Sequence, residues 1–257
     1  IAANLSGSAV DLAAAFDGIT TSTSMLTITG TTPATVAELM TINAATSGTV
    51  VLNSQTIATA YTDTAANLIS AFDGITSHTG GLTVSDTGAV SAADLNKINT
   101  FTAGNTWVTA ASEFTGNAAE LAAAVGAVTQ GQNVALTITA GTSAATISEL
   151  MTINAATSGT VVLNPETIAQ SYDDTATNLA AAFDGITTSA LTLTITAGTP
   201  AATIAELMTI NAATSGTFVL NPETIAQNHN DTATNLAAAF DGITTLTSTL
   251  TITGTVP

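Results

Sequence analysis

The chain has no cysteine, a single basic residue, five prolines and only 4% aromatic residues. The missing cysteines exclude disulfides and thiolate metal sites. Lys97 is the only Lys or Arg in 257 residues and faces 18 carboxylates, for a formal net charge of −17. A chain of that sign repels phosphate backbones, so nucleic acid is not an expected partner. Charged residues make up 7% of the chain, where a soluble domain carries about 25%. Solubility then rests on Thr, Ser, Asn and unpaired carboxylates, and ion pairs cannot hold the fold together. Scarcity of Lys and Arg also leaves almost no site for trypsin-like proteases, which suits an extracellular or cell-surface location. No apolar run approaches the roughly 20 residues of a membrane span, so membrane insertion is not expected. Nor is there a P-loop, GxGxxG, GxSxG or HExxH pattern. His78 and His229 have no matched nucleophile or acid beside them, and the chain reads as a non-enzyme.

What the chain has instead is repetition. The stretch MTINAATSGT occurs at Met40–Thr49, Met151–Thr160 and Met208–Thr217, and AFDGIT occurs four times, with its Phe at Phe16, Phe72, Phe183 and Phe240. The best-matched copies lie 57 residues apart, as Leu163 and Leu220 do. A fixed period of this size signals a stacked array. The copies fall at about residues 1–23, 24–80, 81–132, 133–189, 190–246 and 247–257 of one continuous array. Ile1 and Pro257 both fall inside the period, as expected of a segment of a longer polypeptide or of a subunit whose ends continue into neighbours.

Each period reads as two strand–helix units. Leu191–Ala197 alternates apolar residues with Thr, the period of a strand with one buried face. Ala201–Ile210 places Ile204, Leu207 and Met208 on one helical face, with Thr199 as the expected N-cap, Pro200 in the first turn and Asn211 as a left-handed stop. A short strand follows at Thr217–Leu220. Asn221, Pro222 and Glu223 then read as a cap, a first-turn proline and a dipole-matched acid. Asp231 is the expected cap of the helix Thr232–Phe240, and Gly242 its stop. Strand centres are expected at Ile28, Leu52, Val84, Val108, Ile138, Leu163, Ile195, Leu220 and Ile252. Each gap holds a helix and two loops, enough to return parallel. The expected fold is α/β: a solenoid of strand–helix units with one parallel sheet on one face and helices on the other.

That register puts Thr27, Val51, Thr83, Thr137, Val162, Thr194, Val219 and Thr251 on the outer sheet face, uncharged where exposed faces normally carry charge. The divergent copy near residues 81–132 holds Lys97, Phe101, Phe114 and the only tryptophan, Trp107, whose place in a strand suits an outward anchor. These residues are the candidate self-association surface. The carboxylates offer a second reading. Asp17, Asp73, Asp184 and Asp241 recur at the Phe-Asp-Gly corner, where they would stack as a ladder. Asp63, Asp173, Asp174 and Asp231 recur before the next helix. Oxygen ligands of this kind suit calcium, with Asp173, Asp174, Asp184, Asp231 and Asp241 as candidates. Helix capping and plain solvation account for the same pattern, and no cofactor is otherwise called for.

The motifs at Asp63–Leu68, Asp174–Leu179 and Asp231–Leu236, with Leu82–Asp86 and Ala92–Asn99, resemble repeats of giant secreted and cell-surface proteins of bacteria, among them the swimming-motility type of marine cyanobacteria. The resemblance implies an extracellular structural role and carries over no catalytic residue. The function expected from the residues is a repeat subunit or segment of a filament, sheath or surface layer, with itself as partner, joined head to tail and laterally. The alternative is the rigid stalk of a secreted adhesin or motility protein, stiffened by calcium.

Overall fold

A computed structural model describes residues 4–131, 133–187 and 191–253; the chain ends Ile1 and Pro257 lie outside them. The described residues form an α/β protein of short parallel strands and twelve helices. They fall into two compact units, residues 1–116 with 123–134 and residues 117–122 with 135–257.

The helices begin where a hydroxyl can satisfy a free backbone donor. Thr35, Thr146 and Thr203 accept the N–H of the residue three further on, and Glu38, Glu149 and Glu206 reach back to the cap N–H. Each is a capping box, which closes two of the unpaired donors of the first turn. Ser8, Thr64, Thr175 and Thr232 cap the shorter helices with the side chain alone. At the other end, AFDGIT encodes a turn. Asp17, Asp73, Asp184 and Asp241 have ψ of 124–128°, and the glycines after them have φ between 69° and 77°. The N–H of the following Ile returns to the Phe carbonyl at 2.9–3.1 Å. This is a type II turn, whose third position calls for glycine.

In the first unit, strand Leu26–Ile28 lies between Leu5–Gly7 and Val50–Val51. A second sheet runs Tyr61–Asp63, Leu82–Val84, Thr106–Val108 and Val128–Thr129, and Ala89–Ser91 pairs with Glu113–Gly116. Helices Ala9–Phe16, Val36–Ala45, Ala65–Phe72 and Ala92–Asn99 pack in that order, each on the next. In the second unit, Ala135–Ile138 pairs with Val161–Val162, Thr192–Ile195 lies between Ser171–Asp174 and Phe218–Val219, and His229–Asp231 pairs with Leu250–Ile252. Here the helices pack in the order Ile147–Ala155, Ala176–Phe183, Ile204–Ala213 and Ala233–Phe240. Each of these strand pairings is parallel. Leu26, Leu39, Leu68, Phe72, Leu82, Leu193, Leu207 and Phe183 are among the fully buried side chains between strands and helices.

Three expectations need correcting. In place of one continuous sheet there are several short ones. A helix of four or five residues (Ser54–Ala58, Pro165–Ile168 or Pro222–Ala226) follows the strand at Val50, Val161 or Phe218, and the next strand opens a new sheet. Leu52, Leu163 and Leu220 consequently lie one residue past their strands, though they stay buried. The caps also move. Thr203, not Thr199, caps its helix, and Thr232, not Asp231, caps the last one. Thr199 Oγ1 donates to the Thr196 carbonyl at 2.6 Å, closing a turn of its own. Finally, Asn211 does not end its helix, which runs on to Ala213, and no described residue other than glycine has positive φ.

Candidate interaction surface

Strand register aligns the outward side chains into ranks. In the first unit Ser6, Thr27 and Val51 form one rank, and Thr62, Thr83, Trp107 and Thr129 another. In the second, Thr137 pairs with Val162, Thr194 stands between Asp173 and Val219, and Thr251 pairs with Asn230. Their neighbours along the strand point inward: Leu26 and Ile28 beside Thr27, Leu82 and Val84 beside Thr83, Leu193 and Ile195 beside Thr194 are all at most 2% exposed. The valines are open, with Val51 at 39%, Val162 at 44% and Val219 at 42% exposure. Thr27, Thr83, Trp107, Thr137 and Thr194 are half-buried and Thr251 is exposed. Eight of the nine candidate residues therefore face outward; Thr251 lies in a strand whose three residues are all exposed.

The face is not wholly free of charge. Asp173 stands in the rank of Thr194, and its Oδ1 accepts a hydrogen bond from Thr196 Oγ1 at 2.6 Å. In the sequence nothing marks Asp173 as a strand residue, because Ser171–Asp174 has one apolar member and no alternation to read.

Asp174 and Asp231 are held as structural acceptors. Asp174 Oδ1 takes the Thr175 N–H and Asn178 Nδ2 at 2.7 and 2.8 Å, and Asp231 does the same with Thr232 and Asn235. The Phe-Asp-Gly aspartates do not stack as a ladder. Helix Val36–Ala45 lies between the helices that end at Asp17 and Asp73, and helix Ile204–Ala213 between those that end at Asp184 and Asp241. Asp73 is ion-paired with Lys97 at 3.1 Å on the surface. Among the described residues no three His, Asp or Glu side chains come together to hold a cation. Burial works to raise the Glu206 carboxyl, but hydrogen bonds from Thr177 and Thr203 outweigh it and leave it lowered.

The histidines belong to the interior. His78 is 1% exposed, its ring against Tyr61 and Phe72 with centroids 5.5 and 4.8 Å away. Its Nδ1 is 3.2 Å from the Thr56 carbonyl, and burial lowers its pKa. His229 takes the place of Tyr172 and Tyr61 in the other copies. Those tyrosines send their hydroxyls to the Ala145 and Ala34 carbonyls at 2.8 and 2.7 Å. His229 Nε2 instead sits 3.0 Å from the Thr224 carbonyl. Burial raises both tyrosines, Tyr172 to about 12.

No protein-family model, curated protein or solved structure matches this chain. No helix among the described residues is long and apolar enough to cross a membrane.

Proposed function

We propose that the chain is a structural protein: a repeat segment or subunit of an extracellular filament, sheath or surface layer. In this reading its strand–helix units continue as a solenoid, and copies associate through their sheet faces and open strand edges. The observation that carries the reading is the recurrence of an exposed valine at the same register in three copies, Val51, Val162 and Val219, each 39–44% exposed and paired with a threonine, Thr27, Thr137 or Thr194. A solitary exposed valine is ordinary; the same one returning at the same register is a surface kept apolar.

The test is replacement of Val162 and Val219 by Lys. Both side chains point to solvent, so the fold should be retained by circular dichroism while lateral assembly, read by sedimentation velocity, is lost. Undiminished assembly would remove the sheet face from the account.

A further inference from the structure

The rank of Thr83 differs from the others in a paired way. Where the other ranks carry Val51, Val162 or Val219, this one carries Trp107. Two residues before the threonine, the other ranks carry Met25, Ala135 or Thr192; this one carries Gly81. The two changes are one fit. A Cβ built on Gly81 would run into Trp107 Cζ3 and stand 2.9 Å from Cη2 and 3.2 Å from Cε3. The six-membered ring of the indole thus rests on the bare backbone of the neighbouring strand, in space that any other residue would fill. Thr106 and Val108 on either side are 1% and 5% exposed, so the ring lies on the outer face and keeps part of its surface open.

What surrounds the ring is neutral and rich in hydrogen-bonding groups. Thr83 and Thr129 flank it in register, and Thr62 lies beyond Thr83. Asn105 and Thr109 stand two residues to either side along its own strand, both exposed, as are Thr62 and Thr129. Neither the rank nor these flanks carries a charge, in a chain with 18 carboxylates. An anionic ligand has no cation here to pair with, and a cationic one no carboxylate. A pyranose ring meets both features. Its C–H face packs on an aromatic ring, while its hydroxyls reach outward to groups such as Thr and Asn, and an aromatic residue with a polar surround suits a ligand apolar on one side and wet on the other.

We propose that Trp107, seated on Gly81 and flanked by Thr83, Asn105, Thr109 and Thr129, with Thr62 one strand further on, is a binding platform for a flat, uncharged polysaccharide of the β-1,4-linked kind. Such a glycan is a ribbon, with its substituents equatorial and its ring faces bare, so a ring face is free to lie on the indole; a helical glycan does not present its faces in this way. This site is separate from the valine ranks and does not depend on assembly.

Trp107 is the only tryptophan, so its fluorescence reports on this site alone. Titrating the whole chain with cellohexaose should shift the emission to a saturating limit, and the protein should be retained on microcrystalline cellulose. Trp107→Val restores the residue the other ranks use and so should fold. It should weaken cellulose retention by about tenfold or more, as loss of an aromatic anchor does, and Gly81→Ala, which unseats the ring, should also weaken it. Unchanged emission with no retention overturns the proposal. So does full retention of the Trp107→Val variant, which would put binding elsewhere. An equal response to maltohexaose overturns it too, and an emission shift on raising protein concentration without sugar would give the ring to a second copy.

Discussion

Asn154 Nδ2 donates to the carbonyl oxygens of Ala181 and Asp184, 3.1 and 3.0 Å away, at the end of the next helix. Asn43 makes the same pair of bonds to Ser70 and Asp73, and Asn211 to Ala238 and Asp241. The last turn of a helix has carbonyls without intrahelical partners; here the neighbouring helix supplies the donors from within MTINAATSGT. The repeated sequence therefore encodes a clamp between one helix and the next. Replacing Asn154 by Ala should cost about 1 kcal/mol at this partly open site, and Asn154→Asp more, since a carboxylate cannot donate. Urea denaturation midpoints at constant m-value would measure both.

Asn164 is a buried counterpart, 1% exposed. Its Oδ1 accepts the Thr167 N–H at 3.0 Å, capping the short helix, and its Nδ2 lies 3.0 Å from Thr142 Oγ1 in the preceding turn. Asn164→Ala removes a cap and strands buried polar groups, an expected loss of about 2–4 kcal/mol. A smaller loss than for Asn154→Ala would contradict the distinction between buried and open clamps.

Phe183 is fully buried and meets Tyr172 edge-on at 5.5 Å. Phe183→Ala should cost about 3–5 kcal/mol. Retained stability in a thermal melt would refute its place in the core.

Gly185 holds φ of +69° in the turn after that helix. Gly185→Ala meets no neighbouring atom, so its cost is conformational alone, about 1–2 kcal/mol. An equal cost at Gly126, which has no positive φ, would show that the turn is not the cause.

His78 makes stability pH-dependent. Burial lowers its folded-state pKa below the ordinary 6.5, so the folded chain favours the neutral ring. The stability it supports is complete above the unfolded pKa and is lost as pH falls from about 6.5 toward the lower folded value. His78→Phe should flatten the slope of unfolding free energy as pH falls below about 6.5. An unchanged slope would place the proton uptake elsewhere.

The sequence carried the helices and the main strands well because their signals are local. Alternation in LTLTIT, the i and i+4 spacing of Leu179 and Phe183, and the glycine of Phe-Asp-Gly each need only near neighbours. Strands such as Tyr61–Asp63, with a single buried residue, have no alternation to read and exist because their backbone pairs with residues 21 positions on. The helix start at Thr203 was obscured by Pro200, a strong first-turn signal overruled by the capping box with Glu206. The outward ranks were legible from periodicity; the seat of Trp107 on Gly81 was not, because it joins two strands in register. Its traces in the sequence are a glycine where the other copies have Met25, Ala135 and Thr192 and a tryptophan where they have Val51, Val162 and Val219.

The most direct test of the structural role is electron microscopy of native material isolated without denaturant. Continuous fibres or sheets with a regular repeat are the expected result, breaking down to small particles in the Val162→Lys, Val219→Lys protein. Discrete single particles at every concentration, unaltered by those substitutions, would contradict it.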